Sequence, residues 1–251
     1  MGVLIFEGMK VGVLPGDLTI HVNDAGQTRS NLTLSTSFNV LPLLLRIAHD
    51  NIVLSHQANN DVKDKWNDDP DNQKRLLIKE LTASMQVFIA SGIALDSLYS
   101  QLKPFANISR ADIELSKNTD TKRSAHISQV ICRVYKLNNK TSKAFNTNIK
   151  SIIKYRNMAV HPGNSIKPTC TRPDIPVGVD WRFSAYRYGN AAICYRRTME
   201  MLIHLYEKKS NNAQVDGEMD YIFKSLIELG LISKNAQQGD APEPLTQTSD
   251  L

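Results

Sequence analysis

The stretch from residue 150 to residue 163 reads Lys150-Ser151-Ile152-Ile153-Lys154-Tyr155-Arg156-Asn157-Met158-Ala159-Val160-His161-Pro162-Gly163. Together with the two turns before it, the stretch carries apolar residues at the spacing of one buried helical stripe, namely Phe145, Ile149, Ile152, Ile153 and Val160. Pro162 disfavours helical geometry at the residue before it, and Gly163 can adopt the left-handed conformation that follows a helix. The stretch therefore predicts a helix that ends near His161.

Arg156 is the unusual residue of this helix, because it falls on the apolar stripe. A guanidinium is seldom buried without a partner, since an unpaired buried charge is costly. Two alternatives follow. Either a carboxylate meets Arg156, for which Asp96 beside the stripe of an upstream helix is a candidate, or Arg156 faces a cleft or subunit interface that needs positive charge.

The segment Arg156-Asn157-Met158-Ala159-Val160-His161 resembles the Arg–polar–x–x–x–His motif of the HEPN superfamily, named for higher-eukaryote and prokaryote nucleotide-binding domains. The resemblance covers roughly residues 73–209. It implies an antiparallel helical bundle that forms a homodimer, with Arg156 and His161 of two copies lining one catalytic cleft. It also implies an endoribonuclease of toxin–antitoxin, phage-defence or RNA-processing systems, with an antitoxin or defence-system protein as a partner. Some members of the family bind RNA or a protein without cutting RNA.

The residue types suit RNA cleavage without a metal or other cofactor. His161 can transfer a proton near neutral pH, Arg156 can stabilise a phosphorane through its planar fork, and Asn157 can orient the imidazole one turn away. Arg156 and His161 lie about 140° apart on the helical wheel, so one helix does not bring them together. Two hypotheses stay open: a metal-independent endoribonuclease, and a non-catalytic helical module that binds RNA or a protein partner.

Charge is concentrated around the motif. No Asp or Glu occurs between Thr121 and Pro173, although this span contains 11 of the 30 Lys and Arg residues of a chain with formal net charge +5. Lys150 and Lys154 share one helical face with Asn157 and His161, which predicts a nucleic-acid-binding surface. The span offers no carboxylate cluster for a metal, and the pair His49 and His56 is more simply explained by packing or exposure.

Composition is typical of a globular protein, with 41% hydrophobic and 22% charged residues. The three cysteines (Cys132, Cys170 and Cys194) are odd in number and widely spaced, which predicts a reducing cytoplasm rather than a disulfide framework. We find no secretory signal, and we expect no apolar run long enough to cross a bilayer and no membrane association.

The predicted fold is mainly α: a HEPN-like antiparallel helical bundle with an N-terminal β-hairpin and a disordered C-terminal tail. In the hairpin, residues 11–14 and 18–22 are joined by Pro15-Gly16-Asp17. The expected organisation is a hairpin segment (1–35), a leading helix and polar link (36–72), the bundle (73–209), a C-terminal helix (210–232) and the tail (233–251). Within the bundle we expect helices over 71–102, 122–137 and 183–209, and a helix capped by Thr141 or Ser142 that carries the motif.

Overall fold

The computed structural model describes residues 4–5, 9–108, 123–161, 163 and 166–233. The chain divides into two compact units, Met1–Val40 and Leu41–Leu251. The described part of the first unit forms the strands β1 (Met9–Gly12), β2 (Leu18–Val22), β3 (Thr28–Leu32) and β4 (Ser35–Phe38).

The N-terminal β-hairpin is confirmed, but the predicted pairing of its strands was wrong. β2 pairs with β3 around a turn at 23–26, where the Gly26 N–H donates to the Asn23 carbonyl at 2.9 Å and Gly26 has φ +75°. β1 pairs with β4, so Pro15-Gly16-Asp17 is a loop within one side of this ribbon rather than its tip. β3 and β4 are largely polar and lack the apolar alternation that identifies a strand, which is why they were missed.

One face of the β2–β3 pair is apolar and exposed. Leu18 lies opposite Leu32, and Ile20 and Val22 continue the same face; each of the four is more than half exposed. None of the described residues of this unit is buried. Because an isolated two-stranded hairpin is marginal in water, the first unit contains little that would stabilise it by itself.

The second unit confirms the mainly α class. Its described elements are α1 (Leu41–Lys65), α2 (Pro70–Leu102), a 3₁₀ turn (Lys103–Phe105), α3 (Arg123–Tyr135), α4 (Asn139–Val160), β5 (Cys170–Arg172), β6 (Ile175–Val179), α5 (Trp181–Ala185), α6 (Tyr188–Lys208) and α7 (Ala213–Glu228). α2 is central and packs against α1, α3, α4 and α6. α4 is therefore held along the core helix of the bundle.

Local sequence explains where these helices begin and end. The Asp69 carboxylate accepts from the Asp71 N–H at 3.1 Å at the start of α2. Asn138, rather than Thr141 or Ser142, caps α4, since its side chain accepts from the Thr141 N–H at 2.9 Å. α4 ends at Val160, as its sequence predicts, and the His161 N–H still donates to the Asn157 carbonyl at 2.8 Å.

Several other boundaries differ from the prediction. α1 continues to Lys65, so the polar link is short; the expected helix over 183–209 is interrupted between α5 and α6; and α7 begins at Ala213. β5 and β6 form an antiparallel hairpin around Pro173 and Asp174, in a segment whose prolines, Pro168, Pro173 and Pro176, favour a loop. The predicted disordered tail lies outside the described residues, apart from Ser233.

One helix among the described residues, Pro70–Phe105, is long and apolar enough to cross a membrane by length and composition. The prediction that no apolar run reaches that length was therefore wrong. In the apolar window of this helix 56% is buried inside the protein, because α2 packs against α1, α3, α4 and α6. Such burial is typical of a core helix, and the structure is compatible with a soluble protein.

A buried ionic network fixes the β5–β6 hairpin to α2. Arg172 donates from Nη1 to Glu80 Oε2 at 2.8 Å and from Nε to Asp174 Oδ1 at 3.0 Å, and the side chains of Arg172 and Glu80 are each 1% exposed. The other Glu80 oxygen accepts from Asn59 at 3.0 Å and from the Tyr188 N–H at 2.9 Å. One carboxylate therefore joins α1, α2, the hairpin and the start of α6.

This network predicts a specific dependence of stability on pH. Hydrogen bonds from Arg172 lower the pKa of Asp174 below its ordinary value. Because the pKa is lower in the folded state, the carboxylate stabilises the fold above the unfolded-state value of about 4, and this contribution is lost as the pH falls through the lower folded-state value. In urea titrations from pH 7 to pH 2.5, wild type should lose more stability below pH 4 than Asp174→Asn. Parallel pH profiles would contradict the prediction.

Candidate functional site

The predicted site residues lie on two sides of α4. Lys150, Lys154, Asn157 and His161 are all exposed, and we call them the motif face. Arg156 is instead turned toward α2, and its side chain is 20% exposed. The helix therefore separates the predicted cation of the motif from its predicted proton-transfer group.

His161 follows the last residue of α4. Its backbone N–H completes the helix, while its side chain is exposed and has no hydrogen-bond or ion-pair partner in the part of the chain that the structure describes. The imidazole is thus accessible to a ligand.

Arg156 is paired with a carboxylate, which confirms the first of the two alternatives raised by its position. Its Nη2 forms a salt bridge with Asp96 of α2, and its Nη1 donates to Asn157 Oδ1 at 2.9 Å. The Nε atom is buried and has no partner among the described residues. Asp96 thereby compensates the charge of Arg156 and fixes one end of its guanidinium.

Gly92 permits this contact. A Cβ atom at Gly92 would lie 2.8 Å from both Cβ and Cγ of Arg156, closer than real side-chain contacts allow. The absence of a side chain at Gly92 therefore lets α4 approach α2 closely enough for Arg156 to reach Asp96, one turn further along α2.

Asp96 has a second cationic partner that sequence reasoning missed. Arg123, at the start of α3, donates from Nε to Asp96 Oδ1 at 2.7 Å, and its guanidinium lies 4.1 Å from the centre of the Tyr99 ring. The sequence feature that could have indicated this role is the position of Arg123 near the start of a predicted helix, within the acid-free span. The local sequence around Arg123, however, does not show that its partner is Asp96, which lies 27 positions earlier.

The polar partners of Arg156 among the described residues do not include His161. Among the described residues no hydrogen bond joins their side chains, as expected from their separation on the helical wheel. Asn157 is one turn before His161, but its side-chain oxygen accepts from Arg156. Within one chain, the structure thus brings together Arg156, Asn157, Asp96 and Arg123, and leaves His161 apart.

The acid-free span forms a smaller basic surface than its sequence indicates. Arg123 and Arg156 share Asp96, and Arg172 is buried against Glu80 and Asp174, so three of its cations are paired with acids. Among the described residues, the exposed lysines of the span are Lys136, Lys140, Lys143, Lys150, Lys154 and Lys167. Most of these lie on α4, so the positive potential concentrates along this helix.

Residues of α5 hold the chain on both sides of His161. The Tyr186 hydroxyl, on the residue that follows α5, donates to the Tyr155 carbonyl at 2.8 Å, and Arg182 Nη2 donates to the Gly163 carbonyl at 2.9 Å. Lys167 and Arg182 each lie within 5.0 Å of the centre of the Trp181 ring. These contacts restrict the end of α4 and add two cations near it.

Other candidate groups take part in packing. His49 and His56 lie near the rings of Tyr195 and Tyr188, with centroids 5.9 and 4.8 Å apart. Burial raises the pKa of the Cys194 thiol to about 12, so this cysteine is a poor nucleophile. Across the residues that the structure describes, no group of three His, Cys, Asp or Glu side chains is placed to hold a metal ion.

Comparison of the chain with models of known protein families, with curated proteins and with solved structures finds no match. Its function has therefore to be inferred from its own residues.

Proposed function

We propose that the chain is a metal-independent endoribonuclease in which Arg156, Asn157 and His161 form the catalytic centre and Lys150 and Lys154 bind the RNA strand. The motif face is the observation that supports this proposal. The exposed His161 imidazole, which has no polar partner among the described residues, stands at the end of a helix whose exposed lysines occupy the preceding turns. A phosphodiester strand bound along α4 would contact the Lys150 and Lys154 side chains and would reach the His161 imidazole at the end of the helix.

The proposed reaction is an internal transesterification. The ribose 2′-oxygen attacks the adjacent phosphorus as its proton is removed, and the bond from phosphorus to the 5′-oxygen breaks as that oxygen gains a proton. The products are a 2′,3′-cyclic phosphate and a 5′-hydroxyl. His161 serves one of the two proton transfers, and Arg156 stabilises the charge on the phosphorane oxygens.

In this proposal two copies of the chain pair through their motif helices. No hydrogen bond joins the side chains of Arg156 and His161 within one chain, so a second copy would supply the complementary group to each cleft. The resemblance to HEPN domains supports such a homodimer, with an antitoxin or defence-system protein as a further partner. The three widely spaced cysteines support a cytoplasmic location. Solution mass measured by light scattering tests the pairing, since a strict monomer at the concentration used for cleavage assays would contradict it.

The activity is tested by incubating a mixed RNA with the purified chain in EDTA. Wild type should cut the RNA and leave 5′-hydroxyl ends, and His161→Ala and Arg156→Ala should each reduce the rate by at least about 100-fold. Matched controls are His21→Ala, an exposed histidine of the first unit, and Arg196→Ala, a surface arginine paired with Glu200 at 3.7 Å. Equal cutting by all five proteins, or no cutting by wild type, would refute the proposal.

A second candidate function is a non-catalytic helical module that binds RNA or a protein. The internal bonds of Arg156 favour it, because both Nη atoms already have acceptors in the same chain. RNA binding by wild type without cleavage, weakened by Lys150→Ala and Lys154→Ala, would select this candidate.

A further inference from the structure

Asp96 is shared by two guanidinium groups, which leaves this cluster with a surplus positive charge. Arg156 and Arg123 each donate to one oxygen of the same carboxylate. With three formal charges present, two positive and one negative, the cluster carries a net charge of about +1. Asp96 thus holds the two arginines close together without neutralising both.

Arg123 retains most of its hydrogen-bonding capacity. Only its Nε–H has an acceptor among the described residues, so its Nη1 and Nη2 groups are available to a ligand. Its side chain is 44% exposed, and stacking on Tyr99 with the bond to Asp96 restricts the plane of its guanidinium. A guanidinium held in this way is suited to bidentate binding of phosphate oxygens.

The local electrostatics also favour an anion. Arg123 is the first described residue of α3, and the first described turn of this helix contains no acidic residue that would compete for the guanidinium. Lys103 adds another cation 5.9 Å from the centre of the Tyr99 ring. Asp96 is the counter-charge that the structure shows bound to both guanidiniums.

We propose that Arg123 and Arg156 together bind one phosphate group, with Asp96 acting as the residue that positions them. The inference deepens the proposed function and rests on it insofar as the phosphate belongs to RNA. In this inference Arg123 is a second phosphate-binding arginine, and it comes from the same chain as Arg156. The family resemblance implies two arginines in one cleft only when two copies of the chain pair.

The first test uses inorganic phosphate and does not depend on RNA cleavage. Side-chain Nε–Hε resonances of arginine are followed by NMR during a phosphate titration at constant ionic strength. Resonances of Arg123 and Arg156 should shift together and saturate in wild type, while Arg196, paired with Glu200 on the surface, should not respond. Arg123→Lys keeps the positive charge but lacks the planar guanidinium, and it should therefore weaken the phosphate-induced shift of the Arg156 resonance. A response that is unsaturated, or equal at Arg196, would overturn the inference.

The second test measures binding of single-stranded RNA over a range of salt concentrations. Loss of one phosphate contact in Arg123→Ala should reduce the slope of log K against log salt by about 0.7, which a purely structural role would not do. Arg196→Ala should leave the slope unchanged. If Arg123→Ala fails to fold, Arg123→Gln serves as the charge-removing variant.

The two proposals fail in different ways. An unchanged salt slope in Arg123→Ala, with cleavage that still depends on His161, would overturn the phosphate site and leave the ribonuclease intact. Saturable phosphate binding at both arginines without RNA cleavage by wild type would support the site and refute the ribonuclease.

Discussion

Replacing Glu80 with alanine is expected to lower the free energy of unfolding by about 3–5 kcal/mol. The Glu80 carboxylate is fully buried and accepts hydrogen bonds from Arg172, Asn59 and the Tyr188 backbone. Its removal leaves the buried Arg172 guanidinium with Asp174 as its only carboxylate and deprives two further donors of their acceptor. Substitutions that leave buried polar or charged groups without partners are among the most destabilising single changes in a protein.

Glu200→Ala is the matched control for this prediction. Glu200 is also a helical glutamate paired with an arginine, but its side chain is 64% exposed, so its loss should change stability by less than about 1 kcal/mol. Urea denaturation followed by circular dichroism measures both variants. Similar losses for Glu80→Ala and Glu200→Ala would show that the network contributes no more than a surface ion pair.

The double variant Glu80→Ala with Arg172→Ala provides a further check. Each single change leaves the other charge buried without the partner that the substitution removed, whereas the double change removes both groups. The double variant should therefore cost less than the sum of the single variants, by about 0.5–3 kcal/mol. Additive losses would indicate that the two residues stabilise the fold independently.

The helices that frame the candidate site could be predicted from sequence because their signals are local. The spacing of Leu77, Leu81, Phe88, Leu95 and Leu98 identifies α2, and Pro162-Gly163 marks the end of α4. The pairing of Arg156 with Asp96 was accessible because a charge on an apolar stripe requires a partner, and Asp96 lay beside the stripe of α2. The charged residue on the apolar stripe was thus as informative about packing as the apolar residues themselves.

The remaining features depend on residues far apart in the chain. The salt bridge from Arg172 to Glu80 joins residues 92 positions apart, and it holds a hairpin whose prolines otherwise indicate a loop. Arg123 reaches Asp96 because α3 packs on α2. Sequence periodicity identifies which face of a helix is buried, but not which neighbour covers it.

Gly92→Ala is expected to destabilise the fold by about 1–2 kcal/mol and to reduce the proposed RNA cleavage by about 100-fold. Alanine normally stabilises a helix relative to glycine by about 0.5–1 kcal/mol. At Gly92 the added Cβ would lie 2.8 Å from Cβ and Cγ of Arg156. The Arg156 Cβ is fixed to the α4 backbone and cannot rotate away, so α2 and α4 must separate, and Arg156 moves relative to Asp96.

Gly217→Ala isolates this steric effect from helix propensity. Gly217 is also inside a helix, α7, but a Cβ there would meet no atom within 4 Å, so the substitution should stabilise the chain by about 0.5–1 kcal/mol. Thermal denaturation of both variants, with RNA cleavage assayed well below their midpoints, separates loss of folding from displacement of Arg156. If Gly92→Ala is as stable as Gly217→Ala, the helices can adjust without strain. If Gly92→Ala is destabilised but cuts RNA at the wild-type rate, the position of Arg156 against Asp96 does not matter for cleavage, and Arg156 loses its proposed catalytic role.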